Sequence, residues 1–102
     1  MKLTHDGPTL SVSDITELSA VNSTTFRDEI RAALPPSVRT VEIDLSQTRF
    51  MDSCGLGALF SLYKTVHAGA NGVTLRLVNP TAPVQQLFEL TQMHRLFEIA
   101  RR

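Results

Sequence analysis

The chain has no excess charge: ten Lys and Arg side chains cancel ten Asp and Glu over 102 residues. Without a positive field to gather phosphate backbones or anionic headgroups, no nucleic-acid partner is expected. Cysteine is nearly absent. Cys54 stands alone, which excludes an internal disulfide and fits a reducing compartment. Long apolar runs are missing too. The longest stretch free of Asp, Glu, Lys and Arg, Leu77 to Phe88, contains Pro80 and Pro83, and no apolar signal segment follows the amino-terminal MKLTHDGPTL. Neither membrane insertion nor secretion is indicated, and a cytoplasmic location is expected. There is no linker-like shift in composition and no internal repeat, so residues 1–102 are read as one domain. What remains is an ordinary globular balance, 42% apolar and 20% charged, sufficient for a core without disulfide or metal.

The hydrophobic pattern alternates between two periods. TLSVSDI (Thr9 to Ile15) is a weak strand in which Leu10 and Val12 alternate with serine. In SAVNSTTFRDEIRAALPP, Phe26, Ile30, Ala33 and Leu34 recur at helical spacing; Pro35 and Pro36 stop the helix, and Ser19, Asn22 and Ser23 each qualify as its cap. TVEIDLS places Val41, Ile43 and Leu45 on one strand face and Glu42 and Asp44 on the other. A helix follows Asp52 and Ser53 to about Ala68, where AGANG breaks it. VTLRLV, Val73 to Val78, is the next strand. Thr81 is read as the cap of a helix reaching about Leu90, with Val84, Leu87 and Phe88 inward, and LFEI as a short edge strand. This succession implies an α/β fold with a mixed, largely parallel sheet of about four or five strands. Because Glu42, Asp44, Thr74 and Arg76 share one face, the helices are expected mainly on the other.

The chemistry concentrates in FMDSCGLGALF, Phe50 to Phe60. On the helix that follows, Leu56, Leu59, Phe60, Tyr63 and Val66, widened by Ala58 and Leu62, form the core face. Gly57, Ser61, Lys64, Thr65 and Ala68 occupy the opposite arc, small and nearly uncharged, open to another protein's surface. Two readings of the helix start compete. Either Ser53 caps it, or Asp52 caps it and leaves the Ser53 hydroxyl accessible near the positive end of the helix. A dinucleotide cradle is excluded, because Phe60 stands where the third glycine of G-x-G-x-x-G belongs and Leu77 where the acidic residue belongs. A nucleophile elbow is excluded as well, since Met51 rather than glycine lies two residues before Ser53. Cys54 at a helix start could act as a thiol nucleophile, but nothing marks His5, His67 or His94 as its base, and these histidines lack metal-ligand spacing. The more common role of such a cysteine is buried filling. No catalytic residue, metal or cofactor is assigned.

Val41 to Ile99 resembles the STAS domain family, and most closely its bacterial anti-sigma factor antagonists. The resemblance rests on a strand ending in D-L-S, then FMDSCGLGAL, then a strand ending in N-P, then VQQLFELT. It implies a non-catalytic domain that sequesters an anti-sigma factor which is also a serine kinase. That kinase switches the domain off by phosphorylating the serine after the motif aspartate, here Ser53, and a PP2C-type phosphatase reverses the switch. The partner-binding set implied is Asp52, Ser53, Cys54, Gly55, Gly57, Ser61 and Lys64, with Gly55 and Gly57 leaving the turn bare for a partner's backbone or bound ATP. Two departures stand out. Cys54 replaces a common Ser or Thr, and TELS places Ser19 where the family pattern has aspartate. The alternative reading is a stand-alone STAS subunit regulating a membrane transporter, such as a lipid-exporting ABC complex.

Overall fold

The computed structural model describes residues 1–34, 36–67 and 72–101, with His67 described in its backbone alone. Its elements in chain order are β1 (Lys2–Asp6), β2 (Thr9–Ser13), β3 (Glu17–Leu18), α1 (Ser23–Ala32), β4 (Thr40–Asp44), β5 (Phe50–Met51), α2 (Ser53–His67), β6 (Thr74–Val78), α3 (Ala82–Leu90), a 3-10 turn (Met93–Arg95) and β7 (Glu98–Ala100). The main sheet has the order β1-β2-β4-β6-β7. Only β1 and β2 run antiparallel; the other neighbours are parallel. The expected α/β class and largely parallel sheet are therefore present, with five strands where about four or five were expected.

The alternation read from the strands is the alternation of burial. Val41, Ile43 and Leu45 are fully buried, with Leu10, Val12, Leu75 and Leu77 on the same side of the neighbouring strands. Phe26 and Ile30 of α1, Leu59, Leu62 and Val66 of α2, and Val84 and Phe88 of α3 close over them. On the opposite side Arg76 reaches Glu98 at 3.1 Å and Glu42 at 3.4 Å. Such half-exposed pairs stabilise little, and they leave that side polar. Phe97, just before β7, packs edge-on against both Phe88 (5.8 Å between centroids) and Tyr63 (5.9 Å), which ties the last strand to two helices.

Two local expectations are revised, and one strand was not anticipated. Lys2–Asp6 is a strand, although its only large apolar side chain is Leu3; it hydrogen-bonds to β2 through a two-residue loop in which Gly7 takes φ 59°, the left-handed geometry that tight hairpins require. Helix α1 starts after Asn22, yet the Asn22 side chain does not cap it; it accepts from the Ser19 N–H and donates to the Glu17 carbonyl. Thr81 stands at the N-cap position of α3 but donates its hydroxyl to the Thr48 carbonyl at 2.7 Å. Pro35 and Ala68, expected at helix ends, lie outside the described residues.

Thr48 fixes the loop that carries the chain into β5. It is fully buried, and its hydroxyl donates to the Ile15 carbonyl at 2.6 Å while its own carbonyl takes the Thr81 hydroxyl. The next amide, Arg49 N–H, bonds the Thr16 carbonyl, so β3 and β5 are brought alongside one another. Thr48→Val keeps the shape and removes the donor, leaving the Ile15 carbonyl without that partner. It is expected to cost about 1–3 kcal/mol in urea unfolding, whereas substitution of exposed Ser46 is expected to be close to neutral.

Candidate functional site

The parallel pair β3 and β5 places Leu18 beside Met51, and with them the two turns that follow each strand. Asp52 sits between β5 and α2 at the junction. Its N–H donates to the Leu18 carbonyl at 3.3 Å, and its own carbonyl accepts the Leu56 N–H at 3.0 Å to begin α2. Its carboxylate then divides between two segments. One oxygen accepts the Gly55 N–H at 3.0 Å, the geometry of an N-cap, and the other accepts the Ala20 N–H at 3.1 Å, from the turn before α1. The Gly55 N–H, helped by those of Ala20 and Cys54, holds the Asp52 carboxyl below its ordinary 3.8 against the opposing effect of desolvation.

Of the two readings of the helix start, the arrangement is therefore the one in which aspartate caps. Ser53 becomes the first residue of α2, exposed, and among the described residues its hydroxyl has no hydrogen-bond partner. Cys54 is exposed beside it rather than buried as filling. Together with Gly57 and Ala58, and with Ser23, Thr24 and Arg27 of α1, Cys54 lines a shallow groove of about 220 Å³. Sequence reasoning missed this contribution of α1, because helical spacing marks the buried side of an element and not which exposed side faces a neighbour.

Gly55 requires a correction. It is buried, and a side chain there would overlap the Leu18 carbonyl, with a Cβ only 2.7 Å from that carbonyl's carbon. Glycine is needed so that α2 can start against β3, not to bare the turn for a partner. Gly57 differs: it is exposed, and a Cβ would meet nothing within 4 Å. Ser61 is half-buried and Lys64 exposed, on the same arc of α2 as Gly57. The Lys64 ammonium lies 5.6 Å from the Phe60 ring centroid. At 1.5 Å per residue Lys64 is about 16 Å along the helix from Ser53, so the predicted set forms a strip rather than one cluster. Among the described residues there is no group of His, Cys, Asp and Glu able to hold a metal ion, and no helix long and apolar enough to cross a membrane. His5 and His94 lie against the backbone carbonyls of Ala33 and Phe88, and neither histidine is joined to Cys54 by a hydrogen bond.

A family model for the STAS domain matches residues 2–102. The chain belongs to the STAS domain family. Solved structures share its architecture. A candidate anti-sigma factor antagonist from Thermotoga maritima superposes with a TM-score of 0.87 at 20% identity, over 97% of this chain and 84% of that one. The anti-sigma factor antagonist SpoIIAA, in its unphosphorylated form, superposes with a TM-score of 0.79 at 24% identity, over 97% and 86%. At these identities the likeness is one of fold. The murine anion transporter Slc26a9 matches 85% of this STAS domain at 27% identity and a TM-score of 0.72, but the match covers only 14% of the transporter.

Two measurements check this geometry. Gly55→Ala is expected to destabilise the domain by about 1–3 kcal/mol through overpacking, while Gly57→Ala, in an open helical position, is expected to stabilise it by about 0.5–1 kcal/mol; urea unfolding reads both. The Asp52 carboxyl is depressed in the folded state, so its stabilising contribution is complete above an unfolded value of about 3.9 and is lost as pH falls through the folded one. The stability difference between the wild type and Asp52→Asn should accordingly be flat near neutrality and shrink below about pH 4.

Proposed function

We propose that this STAS domain is an anti-sigma factor antagonist: a non-catalytic, cytoplasmic protein-binding unit that sequesters an anti-sigma factor with serine kinase activity and is released by phosphorylation of Ser53. The observation that carries the reading is the Ser53 hydroxyl, exposed and, among the described residues, without a hydrogen-bond partner because Asp52 has taken the cap. The fold shared with SpoIIAA, an antagonist with an unphosphorylated form, supports the same conclusion.

The physics of the switch follows from the helix end. A phosphate adds about −1.5 to −2 charges at the first residue of α2. The helix N-terminus accepts that charge, so the domain stays folded. The adjacent Asp52 carboxylate cannot disperse it, and a partner packed over Ser53, Cys54, Gly57, Ser61 and Lys64 meets repulsion and a desolvation cost. Affinity falls while structure persists. A PP2C-type phosphatase removing the group restores binding.

Incubation with ATP and the kinase-type anti-sigma factors of the source organism is expected to place phosphate on Ser53 and none on Ser53→Ala. Ser53→Glu is expected to weaken binding at least about tenfold with unchanged circular dichroism. Absence of binding to every such factor, together with no phosphate at Ser53, sinks the proposal. The partial match to a transporter's STAS region favours a second reading, in which the domain docks on a membrane transport complex such as a lipid ABC exporter. Co-purification with an ATPase subunit, indifferent to Ser53→Glu, would select it.

A further inference from the structure

Strands β3 and β5 form a small sheet of their own, with one cleft lined by residues of β3 and a different one lined by residues of β5. The cleft on the β3 side, about 350 Å³, is edged by Asp14, Glu17 and Glu29 and is acidic in character. The cleft on the β5 side, about 190 Å³ between β5 and α3, is the reverse: its only charged lining residue is Arg49, and most of the remainder is apolar.

The apolar character has a local cause. A two-residue strand can send only one side chain to the core; Met51 goes in, and Phe50 is left 55% exposed. On α3, Val84 and Phe88 face the core, whereas Pro83, Leu87 and Leu90, at spacings of four and three, continue as a stripe along the side turned toward β5. Leu90 is 74% exposed at the end of that stripe. Two large apolar side chains thus stand in water within the lining of one concave strip, which also includes the buried Met51 and Val84.

Arg49 supplies the direction. Its backbone N–H is committed to Thr16, but among the described residues its guanidinium has no ion pair, unlike those of Arg27 and Arg76. An unpaired guanidinium beside exposed Phe and Leu, with no Lys, Asp or Glu in the lining, has the composition of the centre of a protein interface.

We propose that this cleft docks a short segment of a partner protein, placing one large apolar side chain between Phe50 and Leu90 and an adjacent Asp or Glu against Arg49. The site shares no residue with the Ser53 strip and works independently of its charge. Two ligand surfaces then leave the ends of one short strand, the second reading an apolar-acidic sequence and not a phosphate.

To test this, the 102-residue chain is panned against a random peptide library and the enriched peptides are measured by fluorescence anisotropy. Enriched peptides should pair a Leu, Ile or Phe with a neighbouring acid. Leu90→Ser and Arg49→Glu should each weaken them about tenfold, and exchanging the peptide's acid for lysine should restore binding to Arg49→Glu. Ser53→Glu should change nothing, which separates this site from the switch even if Ser53 proves never to be phosphorylated. Both cleft substitutions are at exposed side chains, and thermal unfolding verifies that each variant is folded. Enrichment without that pattern, or binding indifferent to both variants, overturns the proposal. So does a concentration-dependent dimer in sedimentation that Leu90→Ser abolishes, because the occupant would then be a second copy of the chain.

Discussion

One carboxylate holds the junction of β3, β5 and α2 together. Asp52 caps α2 with one oxygen and grips the turn before α1 with the other, joining residues 32 apart in sequence. Because its lone pairs are engaged by backbone N–H groups, the charged form is favoured, and among the described residues the neighbouring hydroxyl has no hydrogen-bond partner. The exposed serine is thus a consequence of how the helix is capped. The β3 and β5 pair is a precondition, since without Leu18 beside Met51 the second oxygen would not reach the Ala20 N–H.

The same junction explains why a glycine pair can serve two purposes. Gly55 allows α2 to start against the Leu18 carbonyl, and any side chain would push the helix away from β3 and loosen the Asp52 clamp. Gly57, half a turn further round, faces open space and contributes only to the surface. Rigidity below and bareness above are arranged within three residues. A charge added at Ser53 therefore meets solvent and not the core, as the proposed interaction switch requires.

Legibility in the sequence tracked the range of the interactions. The main strands and most of the core face of α2 were readable because alternation and helical spacing are local signals: Val41, Ile43, Leu45, Leu59 and Leu62 are buried as the pattern implies, whereas Phe60, read as core, is only half-buried. β1 was not, because an exposed edge strand needs no apolar face, and Lys2–Asp6 has only Leu3 to offer. Strands of two residues are too short to show any period, so β3 and β5 were invisible. The competition between Asp52 and Ser53 for the cap could be posed from sequence but not decided. What decides it is the Ala20 N–H, a contact across the fold, and likewise the Thr48 carbonyl diverts the Thr81 hydroxyl from the cap expected of it.

The clamp can be observed directly by following the backbone amide resonances of Ala20 and Gly55 while the Asp52 carboxyl is titrated by NMR. Both amides are expected to move together, with one shared midpoint below the ordinary aspartate value of 3.8. An ordinary midpoint, or movement of Gly55 with Ala20 silent, would mean that the carboxylate does not join the two segments and that Ser53 owes its exposure to something else.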